Sequence, residues 1–158
     1  MRSVPAIAAM GLALILAGCG DSENGKTPST CLSGAGGFRA ALADAPAQAR
    51  LGDGTPISEC LVENQSGGQL AQVGADLVRV ATELRARAQF GTEGRLAATQ
   101  LGYLVGAVRR GAEETGGIHA DLVRRVASAA AVDGGSEPVA PSIERAYSTG
   151  YAAGQRAG

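Results

Sequence analysis

Residues 66–88 read SGGQLAQVGADLVRVATELRARA, and the recurrence of their apolar side chains decides the fold. Leu70, Val73, Leu77, Val80 and Leu84 follow one another at alternating steps of three and four. That spacing puts all five on one face of an α-helix and makes a coiled-coil-like seam. Arg79, Glu83, Arg85 and Arg87 fall off the seam and face water. A start signal precedes the seam. In Ser66-Gly67-Gly68-Gln69 the serine oxygen is placed to accept an early backbone N–H while the glutamine reaches back, as in a capping box.

Moving outward, Phe90-Gly91-Thr92 reads as a tight link, with Gly91 in the left-handed position after one helix and Thr92 capping the next. So short a link forces an antiparallel neighbour, predicted to carry Leu96, Leu101, Leu104, Val105 and Val108 up to about Glu114, where Gly116-Gly117 stops it. A third helix is predicted from about Ile118 to Val132, with Ile118, Leu122, Val126 and Ala130 at steps of four and Gly134-Gly135 as its stop. Pro138 and Pro141 mark a loop, and a last helix from Ser142 places Ile143, Tyr147 and Tyr151 on one stripe. Toward the amino terminus, Phe38, Leu42 and Ala45 predict a short helix from about Gly37 that Pro46 ends or kinks. Gly52-Asp53-Gly54 is a turn, and Ile57–Val62 is irregular. No segment reads as strand. The economical architecture is all-α, a small antiparallel up-and-down bundle.

Composition narrows the chemistry. The chain has 158 residues with 24 glycines, no tryptophan and 3% aromatics, so its core must be built from Leu, Val, Ile and Ala. A net charge of -1 excludes a phosphate-neutralising nucleic-acid binder, which needs a basic excess. One histidine and three cysteines leave few ligands for a metal, and no metal or cofactor is expected.

The first 18 residues carry one positive charge, Arg2, then an apolar run from Val4 to Ala17 broken only by Pro5 and glycine. These are the n- and h-regions of an export signal, too short for a mature span, which needs about 20 residues. Leu16-Ala17-Gly18-Cys19 then resembles the lipobox of bacterial lipoprotein precursors: an aliphatic residue, two small residues, and the cysteine. The resemblance covers those four positions and the h-region before them. It implies cleavage between Gly18 and Cys19, a diacylglyceryl thioether on Cys19, and often an acylated amino group. Several acyl chains at about 0.8 kcal/mol per buried methylene anchor firmly. The organisation expected is signal peptide 1–18, lipidated cysteine and flexible tether 19–30, and one helical domain 31–158, held at the extracytoplasmic face of the cell membrane or outer membrane.

Lipidation also settles an odd cysteine count. With Cys19 consumed, Cys31 and Cys60 remain as a pair in an oxidising compartment, where disulfides persist. The loop they close is worth roughly 3 to 4 kcal/mol in the chain-entropy account.

Other residues invite chemistry less strongly. Ser33-Gly34-Ala35-Gly36-Gly37 lacks the strand before it and the Lys-Ser/Thr after it that a phosphate loop requires. His119, near a helix start and close to Glu114 and Asp121, is the one candidate general base. Glu113, Glu114 and Asp121 fit no calcium-loop spacing and read as a solvated acidic turn. Arg109-Arg110 and Arg124-Arg125 suit a salt-bridged face or contact with anionic headgroups. Two small-residue stripes, Ala98/Gly102/Gly106 and Ala146/Gly150/Gly154, repeat at steps of four. A mid-helix glycine costs about 1 kcal/mol relative to alanine, so close packing or a docking face must offset it. The function expected is a non-enzymatic binding or scaffolding lipoprotein, with membrane lipid and a cell-envelope protein as partners. A cell-envelope hydrolase or small-ligand-binding protein using His119 is the alternative.

Overall fold

Ser66 does cap a helix: its Oγ accepts the Gln69 amide at 3.3 Å. The computed structural model describes residues 26–89, 91–132 and 138–158. The expected signal peptide with Leu16–Cys19, most of the span expected to be a tether, and the expected Gly134-Gly135 stop lie outside them. Five α-helices carry the fold: α1 Ala35–Leu42, α2 Gly67–Ala88, α3 Gly91–Glu114, α4 Ala120–Ala130 and α5 Pro141–Ala157. Short 3-10 turns occupy Ser29–Leu32 and Ile57–Cys60, and no strand occurs among the described residues.

The α2 seam is the core. Val73, Leu77, Val80 and Leu84 are fully buried, with Leu70 packed at the margin. They meet Leu101, Leu104 and Val108 of α3, Val126 of α4, and Phe38 and Leu42 of α1. α3 is the central element, touching α2, α4, α5 and the Ile57–Cys60 turn. Cys31 and Cys60, both fully buried, are joined in a disulfide with Cα atoms 5.5 Å apart, which ties the first turn to the second.

Several boundaries differ from those predicted. α1 opens at Ala35 and ends at Leu42, four residues before Pro46, because the chain passes into a run of i to i+3 turns from Ala43 to Ala47. Gly91 and Thr92 already belong to α3, not to a left-handed link and cap. Leu96 is 54% exposed, since five helical residues rotate it about 140° from the buried Leu101. Ile118 is 60% exposed, because Gly116 and Gly117 take left-handed φ of 66° and 80° and α4 begins only at Ala120. Pro141 is inside α5, in its first turn, where its missing N–H costs nothing. One residue ahead of Cys31 also packs on the helices. Thr27 is buried, its hydroxyl donating to Gln69 Oε1 at 3.3 Å and accepting from Gln65 Nε2 at 2.9 Å. The Gln69 side chain thus binds Thr27 and does not complete the capping box.

Candidate functional sites

The two small-residue stripes meet each other. A methyl group on Gly102 would overlap the carbonyl oxygen of Tyr147, and one on Gly106 the carbonyl of Tyr151. Reciprocally, Gly150 abuts the carbonyl of Thr99 and Gly154 that of Tyr103. The contacting positions advance together, so α3 and α5 run in the same direction with backbones touching. Each glycine hydrogen in the side-chain direction faces a carbonyl, a ladder of weak Cα–H···O contacts. Ala98 is fully buried in the same interface region. Of the two readings of the stripes, packing inside the bundle is the one realised, and Gly102 and Gly106 are not available to dock another protein. Ser58 Oγ donates to the Gly158 carbonyl, and Arg110 donates to the Arg156 carbonyl at 2.7 Å, fastening the far end of α5.

His119 is 96% buried and stands at the cap position of α4, yet its side chain makes no cap bond. Its Nε2 lies 3.1 Å from the carbonyl oxygen of Val62. A carbonyl only accepts, so Nε2 carries a proton toward Val62, and Nδ1 is buried with no hydrogen-bond partner among the described residues. The residue lines a cleft of about 220 Å³ with Gly67, Leu70, Ala71, Ile118, Asp121, Leu122 and Arg125. No hydroxyl donates to Nδ1 among the described residues. A nucleophile-and-base pair is therefore not assembled at His119.

The acidic turn is neutralised locally. Arg109 pairs with Glu113 at 3.2 Å, Arg110 with Glu114 at 2.8 Å, and Arg124 with Asp121 at 2.9 Å. Arg125 makes no ion pair among the described residues. No cluster of three metal-ligating side chains occurs among them either. A second groove of about 360 Å³ separates the end of α4 from the start of α5, lined by residues that include Ala130, Val132, Val139, Ile143, Glu144 and Tyr147.

Cys19, the lipidation candidate, lies outside the described residues with Gly18. Sequence reasoning missed Tyr103, which is fully buried, with its hydroxyl accepting the Ala49 amide at 3.1 Å. The only cue is a lone aromatic between Gly102 and Leu104 on the face toward α5 and the loop after α1. Burial pushes the Tyr103 hydroxyl pKa up, and burial does the same to Tyr147, which stacks on Tyr151 at 6.4 Å. Hydrogen bonds from Thr55 and then Thr30 hold the Asp53 carboxyl below its usual range, linking the incoming chain to the Gly52–Gly54 turn.

Comparison with family models, with curated proteins and with solved structures finds no match to this chain, so its role is argued from its own residues.

Proposed function

We propose that this chain is an extracytoplasmic lipoprotein, anchored through an acylated Cys19 and working as a non-enzymatic binding or scaffolding module. The observation that carries the reading is the Cys31–Cys60 bridge. Two of three cysteines are consumed structurally in a buried disulfide of the kind that persists in oxidising compartments. The remaining thiol, Cys19, sits behind Leu16-Ala17-Gly18 at the end of an apolar run. The non-enzymatic part rests on the site chemistry: the one histidine has Nε2 tied to a carbonyl and no nucleophile beside Nδ1.

The test is mass spectrometry of the chain isolated from its own membranes. A peptide beginning at Cys19 with a diacylglyceryl thioether is the expected result, and Cys19→Ser abolishes detergent-phase partitioning. A chain retaining Met1, or an unmodified Cys19 in an attached protein, refutes the anchor.

A further inference from the structure

Gln100 is only 9% exposed, yet its side chain makes no hydrogen bond with any described residue. It stands one turn before Tyr103, on the face of α3 that looks toward α1 and the loop after it. A cavity of about 190 Å³ opens there, lined by residues that include Gln100, Arg39, Leu42, Val80, Leu84 and Arg87. Gln65 Oε1 and His119 Nδ1 are sealed from solvent, but the Gln100 amide is not, and this cavity is the space it reaches. A polar group so deeply placed costs stability while it stays unpaired, and its N–H is a donor suited to an anion.

Two exposed guanidiniums stand on the cavity's walls, Arg39 on α1 and Arg87 on α2. Arg87 makes no ion pair among the described residues, and Arg39 gives one nitrogen, Nη1, to Glu83 at 2.8 Å. Two positive charges against the Glu83 carboxylate leave a surplus of one. The carboxyl ends of α1 and α2, the negative ends of their dipoles, lie alongside, so the surplus suits a monoanion and not a dianion. Leu42, Val80 and Leu84 make the rest of the wall apolar. At about 190 Å³ the space falls below the roughly 300 Å³ at which drug-sized sites begin, so its occupant is small. We propose that this cavity binds the carboxylate of a short aliphatic acid, on the scale of butyrate. The carboxylate accepts from the Gln100 amide and from the Arg87 guanidinium, and the alkyl chain lies against the two leucines and Val80. This site rests on the binding half of the function proposed above, gives it a ligand class, and does not need the anchor.

The Gln100 side-chain amide is its own reporter. The full chain, 15N-labelled and purified from membranes in neutral detergent, is titrated separately at neutral pH with sodium butyrate, butyramide and sodium chloride. The Gln100 signals are those missing from Gln100→Met. Butyrate is expected to shift them saturably, and butyramide and chloride are expected to leave them in place. Arg87→Gln, on an exposed side chain, weakens the butyrate response roughly threefold, the worth of an exposed ion pair. Gln100→Met, of similar size and without the unpaired amide, is expected to melt at a higher temperature than the parent when no butyrate is present. Unmoved signals, an equal response to butyramide or chloride, an unchanged response in Arg87→Gln, or a lower melting temperature for Gln100→Met overturns the proposal. The mass of the amino-terminal peptide from the same preparation separates the two ideas. Unmodified Cys19 with an intact titration removes the anchor and keeps the carboxylate site; acylated Cys19 with unmoved Gln100 signals does the reverse.

Discussion

The Tyr103 hydroxyl accepts the Ala49 backbone amide at 3.1 Å across 54 residues, with both residues fully inaccessible to water. This bond ties the middle of α3 to the irregular segment that follows α1. Tyr103→Phe leaves a buried N–H without an acceptor, which costs about 1 to 3 kcal/mol. The variant is expected to melt several degrees lower by circular dichroism.

The same residue sets a pH dependence. Burial raises the Tyr103 pKa, so the folded state holds its proton more tightly than the unfolded chain. The associated stability is fully present below the unfolded pKa of about 10 and is lost as pH rises toward the folded value. Tyr147 acts with the same sign. Denaturant midpoints are expected to fall above pH 10, less steeply in Tyr103→Phe, and a midpoint that rises with pH there contradicts the burial of both rings.

At the α3–α5 contact the direction of a glycine substitution is fixed by what it meets. Alanine is the better helix former by about 1 kcal/mol, but at Gly106 its methyl overlaps the Tyr151 carbonyl. Overpacking of this kind typically costs about 1 to 3 kcal/mol, so Gly106→Ala destabilises and Gly106→Leu does so further. Gly68→Ala, with open space around it, is neutral or slightly stabilising. Thermal melting of the three variants distinguishes a packed seam from an open face by sign alone.

Two leucines of α3 separate burial from spacing. Leu101 is fully buried and Leu96 is 54% exposed. Leu101→Ala costs about 2 to 5 kcal/mol. Leu96→Gln changes stability by no more than about 0.5 kcal/mol, as surface substitutions do. Urea unfolding of both variants checks the placement.

Removing both Cys31 and Cys60 as alanines is expected to cost about 3 to 4 kcal/mol, and the unreduced domain should yield a peptide pair joined through these residues. Two freely alkylated thiols in exported protein count against the bridge.

The parts of this fold that could be read from the chain are those where one face of one helix suffices as information. The α2 seam, the Ser66 cap and the Gly116-Gly117 stop are local, and each appears where its residues place it. Ile118 shows the limit. It fits the period-four stripe of Leu122, Val126 and Ala130, but periodicity cannot say that two left-handed glycines delay the helix by two residues. The stripes were visible as stripes, yet nothing local says that each is the other's partner, because that depends on α5 returning alongside α3. The pairing of Tyr103 with Ala49 is invisible for the same reason. His119 was legible as a residue of interest, but its burial and its bond to Val62 depend on where the Cys60–Gln65 segment lies.

The disulfide also decides how the molecule takes a pull. Tension applied to the chain ahead of Cys31 first strips the hydrogen bonds of Thr27, then reaches a covalent junction. From Cys31 the load crosses to Cys60 and the Ile57–Cys60 turn seated against α3, bypassing α1 and the loop that follows it. Those elements lie on an unloaded branch and cannot be peeled away from that end while the bridge is closed. In a reducing medium the same pull runs through the backbone in sequence, and the short α1 becomes the first helix to unravel.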